Sequence, residues 1–168
     1  MDRRIIIVGF MGSGKSTVAQ ALARRLNSTM IDLDAEITRT NGRSPKKIIE
    51  EEGETAFRQI ESRVLKQVLN QNAARVIALG GGAWTQASNR DMISKDGAIS
   101  VWLDVPFELC WQRIVDSGSE RPLARNESQA RILYEERRAS YSAANLHIDA
   151  SENKAADQIA SEVIQALQ

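Results

Sequence analysis

Along the chain, runs of β-branched residues alternate with stretches whose apolar positions recur every three or four residues. Ile5-Ile6-Ile7-Val8 reads as a short buried strand, and Val18, Leu22 and Leu26 give the next stretch one apolar helical face. Thr29-Met30-Ile31 is a second apolar run, ending at Asp32-Leu33-Asp34. A helix over 35–40 stops at Asn41-Gly42. Pro45 opens another, with Ile48 and Ile49 on its apolar side and Gly53 at its end. Glu54 to Asn70 is an amphipathic helix that places Phe57, Ile60, Val64, Leu65 and Val68 on one side. Val76 to Leu79 is the third strand, closed by Gly80-Gly81-Gly82. A short helix over Ser88 to Lys95 precedes a fourth strand, Ala98 to Leu103. Pro106 suits the first turn of the helix that carries Phe107, Leu109, Cys110, Trp111 and Ile114. After a polar loop, Asp116 to Glu120, Asn126 reads as an N-cap with Gln129 three residues on, and its helix runs to about Ala143. Leu146, Ile148 and Ala150 alternate with His147 and Asp149 as an edge-like fifth strand, and Lys154 to Leu167 forms a closing helix.

Repeated strand–helix units predict an α/β fold, a parallel sheet covered by helices on both faces. At 168 residues, with no repeat and no linker, one domain spanning 1–168 is expected. Ligands in such folds bind at the carboxyl ends of strands. The polar clusters fall there: 9–16, 32–34 and 80–82.

Bulk composition narrows the function. With 22 basic and 22 acidic side chains the net charge is zero, so there is no electrostatic case for nucleic acid or an anionic membrane. The single cysteine, Cys110, permits no intrachain disulfide and lies in an apolar stretch as inert core, which is compatible with the cytoplasm. The opening Met1-Asp2-Arg3-Arg4 before Ile5 imitates a signal peptide, but the apolar run breaks at Gly9. No apolar run approaches the roughly 20 residues that span a bilayer.

The strongest chemistry lies between the first strand and the first helix. Gly9 to Ser16 fits G-x-x-x-x-G-K-[ST], the phosphate-binding loop, in its strand–loop–helix context. Gly12 and Gly14 let backbone N–H groups close on phosphate oxygens, and the following helix N-terminus adds partial positive charge. Lys15 supplies a mobile full charge, and the Ser16 hydroxyl is a hard donor suited to Mg²⁺.

Other constellations carry two readings each. Asp32 and Asp34, at i and i+2 in extended chain, share a face and suit a metal and a substrate hydroxyl; they equally suit a helix N-cap and a turn carboxylate. Arg58 forms i, i+3 and i, i+4 pairs with Glu61 and Glu54, as any solvated helix face does. Gly80 to Gly82 suggest backbone N–H groups touching a ligand, or a plain tight turn. Arg121-Pro122-Leu123 follows a loop able to close over phosphate, or is an exposed loop. Arg137-Arg138-Ala139-Ser140-Tyr141 presents cations to a ligand or to the C-terminus of its helix. Asp104, after Val101-Trp102-Leu103, imitates a metal-binding aspartate, but Pro106 and the next helix mark it as a cap. His147, the only histidine, is read as a surface residue.

Together these stretches resemble shikimate kinase: GFMGSGKST, DLD, the stretch Gly42 to Glu61 ending in GETAFRQIE, IALGGGA, VWLDVP, RPL and RRASY are matching pieces that run from Gly9 to about Asp149. The resemblance implies a three-layer P-loop kinase fold with a five-stranded parallel sheet of order 2-3-1-4-5. It implies ATP-dependent phosphorylation of the 3-hydroxyl of shikimate, with Mg²⁺. Gly12, Ser13, Gly14, Lys15, Ser16 and Thr17 would wrap the ATP phosphates, with Arg113 near adenine. Ser16 would ligate Mg²⁺ and Asp32 stand in its outer shell. Asp34 would hold the accepting hydroxyl, Arg58 and Arg137 the shikimate carboxylate, and Gly80, Gly81 and Gly82 the ring. Arg121 would reach the phosphates from a mobile lid at about 115–126, with a substrate-binding helical region at about 34–62. Lys15, Asp34 and Arg121 would be catalytic. A monomeric cytoplasmic enzyme acting on small molecules is the expectation. The segment 151–154 lacks a proline that some members place against adenine. A gluconate-type kinase is the nearest rival; it needs no clamp of the form Arg58 with Arg137. A GTPase-type switch is disfavoured because the chain has neither D-x-x-G nor N-K-x-D.

Overall fold

The computed structural model describes residues 3–72, 74–151 and 153–168. Strands β1 (Ile5–Val8), β2 (Met30–Asp32), β3 (Val76–Ala78), β4 (Ile99–Asp104) and β5 (Leu146–Asp149) alternate with helices α1 (Lys15–Arg25), α2 (Leu33–Asn41), α3 (Pro45–Glu52), α4 (Glu54–Gln71), α5 (Ala87–Lys95), α6 (Phe107–Ser117), α7 (Glu127–Tyr141) and α8 (Ala156–Ala166). The strands form one parallel sheet in the order β2-β3-β1-β4-β5, as the family resemblance implied. Successive strand side chains point to opposite faces, so a strand buried at every position must be covered on both. Ile5 to Val8 are all at most 1% exposed, which fixes β1 as the centre of a three-layer molecule. Helix α1 packs on α8 and on β1–β3, while α4 gathers α2, α3 and α5. Among the described residues, no helix is long and apolar enough to cross a membrane.

The element boundaries moved for identifiable reasons. Strand β2 runs through Asp32, and α2 begins at Leu33, because the Asp32 carboxylate accepts the Ala35 N–H as the helix N-cap. Pro106 precedes α6 as its N-cap residue rather than standing in its first turn. Helix α6 then continues through Asp116 and Ser117, so the polar loop begins at Gly118, whose φ of 62° ends the helix. Helix α7 starts after Asn126, whose side chain accepts the Gln129 N–H, and stops at Tyr141, two residues before the expected end. A 3₁₀ turn, Ala83–Thr85, follows the triple glycine and has no counterpart in the sequence reading. It is held by Asn89 Nδ2 on the Ala83 carbonyl and Thr85 Oγ1 on the Gly82 carbonyl.

The two ends of the sheet differ. At the amino end, Arg4 is 8% exposed and fully engaged by Asp96, Asn72 and the Leu69 and Ala74 carbonyls. At the carboxyl end, buried atoms of Arg58, Glu61 and Arg121 lack a hydrogen-bond partner among the described residues.

Candidate active site

Between β1 and α1 the chain curls into the phosphate loop. Gly12 (φ 76°) and Gly14 (φ 85°) take left-handed conformations that side chains disfavour. Gly12 has a second reason to be glycine: a Cβ there would stand 2.5 Å from the Cys110 carbonyl of α6. Cys110 is itself inert core, 0% exposed, its thiol pushed up to about 11 by burial. Lys15 Nζ donates to the Phe10 carbonyl at 2.8 Å. Burial drives its pKa down to about 8, with the Asp34 carboxylate opposing the fall. Ser16 Oγ donates to Asp32 Oδ2, so one carboxylate caps α2 and joins that cap to the loop. Ser13 is buried, and its Oγ has no partner among the described residues.

The extended geometry expected for Asp32 and Asp34 does not occur, because Asp34 lies in the first turn of α2. It still faces the site: its Oδ1 is 2.7 Å from where a Gly80 Cβ would be. Burial and then the Asp32 charge raise its pKa, while Lys15, Arg121 and Arg58 work against the rise.

A small cavity of about 120 Å³ joins Asp34, Arg58, Arg121 and Arg137 to the triple glycine. Here the glycines are explained by crowding, since none of the three has positive φ. A Cβ on Gly82 would lie 2.1 Å from Arg58 Nη2, and one on Gly81 would lie 3.1 Å from Arg137 Nη1. The two guanidiniums therefore converge on adjacent residues. Arg58 is oriented by Glu61, whose Oε1 accepts Nη1 at 2.7 Å, and by Glu54 at 3.4 Å. Glu61 is 0% exposed; burial raises its pKa and Arg58 opposes that. Its Oε2 and Arg58 Nε have no partner among the described residues. Arg137 is 6% exposed, and burial lowers its pKa from the ordinary arginine range. The charged residues that line the cavity are Lys46, Arg58, Arg121 and Arg137 against Asp34, Glu61 and Glu120, an excess of one positive charge suited to an anionic ligand.

Two ties set the register of α7 against this pocket. Tyr141 Oη donates to the Gly81 carbonyl, and Trp84 Nε1 donates to the Ser140 carbonyl at 2.9 Å. Burial pushes the Tyr141 phenol up to about 12, so it remains a donor. The sequence assigns Tyr141 and Trp84 no role, and Glu61 only its pairing with Arg58. The i, i+3 spacing of Arg58 and Glu61 was the available signal, and it equally described a surface pair.

Neighbouring Arg138 turns the other way. It forks onto Asp104 at 2.5 and 3.1 Å, with His147 Nε2 on the same carboxylate at 2.9 Å. The reading of Asp104 as a helix cap is thus corrected: no side chain caps α6, and Asp104 ties α7 and β5 to the end of β4. His147 is 55% exposed at the side chain and stacks on Trp102 at 4.4 Å.

Arg121 lies in the segment between α6 and α7, electrostatically coupled to Lys15 and Asp34, with a buried Nε lacking a partner among the described residues. Arg113 donates to the Gly12 carbonyl at 3.2 Å and to Asn153 Oδ1 at 3.1 Å. It lines a cavity of about 300 Å³ with Ser13, Gly14, Thr17 and Lys154. Thus the geometry gathers Lys15, Asp34, Arg58, Arg121, Arg137 and Gly80 to Gly82, and sets Arg113 apart behind the loop.

Comparison with known proteins bears on this arrangement. The family model described as shikimate kinase matches residues 11–168. A shikimate kinase of Persephonella marina is 36% identical over 163 residues, spanning 96% of this chain and 97% of that protein. The solved shikimate kinase of Acinetobacter baumannii, in complex with shikimate, superposes with a TM-score of 0.90 at 37% identity, covering 98% of this chain and 92% of that one. A gluconokinase from Sinorhizobium meliloti, at 19% identity and a TM-score of 0.66 over 99% and 91% of the two chains, shares the fold alone.

Proposed function

The chain belongs to the shikimate kinase family, and from that premise we propose that it transfers the γ-phosphoryl group of ATP to the 3-hydroxyl of shikimate. In this reading the loop from Gly12 to Thr17 holds the polyphosphate through backbone N–H groups and the Lys15 ammonium. The nucleoside lies toward Arg113. Ser16 and Asp32 are hard oxygen donors already within hydrogen-bond reach of each other beside the loop, a set that fits Mg²⁺. Held there, Mg²⁺ would neutralise phosphate charge. Arg58 and Arg137 take the shikimate carboxylate in forked hydrogen bonds, and Gly80 to Gly82 pass beneath the ring.

Asp34 orients the accepting hydroxyl. The oxygen of that hydroxyl forms a bond to the γ-phosphorus as the bond from phosphorus to the ADP oxygen breaks, and the hydroxyl proton passes to Asp34. Phosphoryl transfer has a loose transition state, so late proton acceptance by a carboxylate suffices. Burial raises the proton affinity of Asp34 and assists that step. Lys15 and Arg121 balance charge on the departing and transferring oxygens. Residues at about 34–62 form the acceptor side and those at about 115–126 the lid.

The convergence of Arg58 and Arg137 over Gly82 and Gly81, beside Asp34, is the observation that carries this reading. Arg137 is buried and the Arg58 side chain is 13% exposed, and together they suit an acceptor that carries a carboxylate; gluconate carries one too, so turnover and not charge separates the two acceptors. The test is a coupled ADP-release assay offering shikimate, gluconate and nucleoside monophosphates. Shikimate alone is expected to turn over. Turnover of gluconate without turnover of shikimate overturns the proposal in favour of the gluconate-type rival.

A further inference from the structure

The acceptor pocket has a neighbour that this chemistry does not use. A second cavity, of about 450 Å³, lies among α3, the end of α6 and the lid, with Trp111, Ile114 and Val115 on one wall. It shares Lys46, Glu120, Arg121 and Pro122 with the acceptor pocket, so these residues are the partition between the two spaces. Across the partition runs an ion pair between Lys46 Nζ of α3 and Glu120 Oε2 of the lid, 74 residues apart in sequence. Glu120 directly precedes Arg121. Lys46 also has an alternative partner on its own helix, Glu50 at 3.9 Å.

We propose that Lys46 and Glu120 are positioning residues: their ion pair closes the partition and holds Arg121 in the site, and its transfer to Glu50 opens the acceptor pocket into the outer cavity. The pair suits a reversible latch because both partners keep water access, with side chains 42% and 78% exposed. An exposed pair biases an equilibrium without locking it. The Glu50 carboxylate keeps the lysine partnered when the lid leaves, which lowers the barrier to opening. The adjacency of Glu120 and Arg121 makes the latch specific: whatever fixes residue 120 limits where the next guanidinium can reach.

The inference rests on the kinase reading for what Arg121 does, but its test is partly independent of that reading. Lys46→Met, Glu120→Gln and the double variant are compared with the parent chain by two measurements. The first is the rate of tryptic cleavage after exposed Arg125, at the lid's far end, in the ligand-free protein. Each single variant is expected to be cut about threefold faster, the double no faster than either single, and the parent to match them at about 0.5 M salt. The second is steady-state kinetics. KM for both substrates is expected to rise about threefold with kcat little changed, because bound phosphate then anchors Arg121 itself. Thermal melting reports that folding is unaltered. Unchanged cleavage in the single variants, or effects that simply add in the double, overturns the latch. If the parent phosphorylates no shikimate, the kinase reading fails while the cleavage data still decide the latch.

Discussion

The two halves of the site are built in opposite ways. The phosphate side is a contiguous piece of chain, 9–17, shaped by backbone against backbone: Gly12 abuts the Cys110 carbonyl. The proposed acceptor side is assembled from α2, α4, the turn after β3, the segment between α6 and α7, and α7 itself, and is shaped by side chains leaning on glycines: Arg58 over Gly82, Arg137 over Gly81. A rigid local element suits the ligand part common to all nucleoside triphosphates. An assembled pocket suits the partner that must be distinguished. One consequence is mechanical: the first half cannot yield at its glycine, whereas the second can, by moving the end of an arginine.

The largest expected effects separate the halves by substrate. Lys15→Ala should lower kcat/KM for ATP by about 10²–10³. Arg58→Ala should raise the shikimate KM by about 10² with a smaller effect on ATP, since it removes half of a charged clamp. An Arg58→Ala enzyme with an unchanged shikimate KM would dissolve the distinction. The next pair tests yielding against rigidity. Gly12→Ala should destabilise the fold by about 1–3 kcal/mol in denaturant titrations, its Cβ meeting backbone. Gly82→Ala should leave stability nearly unchanged and weaken shikimate about tenfold, because the clash falls on a flexible guanidinium. Equal loss of stability in both variants would show that the acceptor side is as stiff as the loop.

A smaller effect comes from pH. Lys15 titrates at about 8 in the free protein, so kcat/KM for ATP should fall as pH rises through that value. The kcat profile should turn at higher pH, since bound phosphates favour the ammonium. The stability sign follows from proton counts. Between pH 8 and the ordinary value of 10.5, the unfolded chain holds a proton at Lys15 that the folded chain lacks. This residue's contribution therefore makes the ligand-free protein more stable with rising pH in that window. Smallest of all is the control beside the clamp. Arg138→Met should reduce stability by about 1 kcal/mol, discounted for the solvent around its fork with Asp104, and leave both KM values unchanged. Arg137→Met, one position earlier, should behave like Arg58→Ala.

The sequence made these halves legible to different degrees. The loop could be read outright because its residues are neighbours and its φ angles demand glycine. Strand order, the Asp32 and Asp34 pair and the arginines were accessible through family resemblance and motif. Several features were hidden because they depend on direction in space. One helical step of about 100° sends Arg137 inward and Arg138 to Asp104, and composition does not say which. The capping bond of Asp32 draws Asp34 into a helix turn, so Asp34 faces the cavity by a geometry other than the extended one that its spacing predicts. The triple glycine looked like a row of N–H donors; its glycines leave room for charged side chains arriving from elsewhere in the chain. Glu61 looked like a surface partner until burial made it the fixed support of Arg58.

The abutment of residue 12 on α6 has one more implication. The same helix that carries Cys110 runs on, unbroken, to Ser117 and hands over directly to the segment bearing Arg121. A shift of the loop's main chain toward α6 would meet that helix in its first turn, and the helix ends where the segment bearing Arg121 begins. The loop and the segment bearing Arg121 are thereby joined through one continuous helix, which meets Gly12 at the Cys110 carbonyl, at Ile114 and through the Arg113 hydrogen bond.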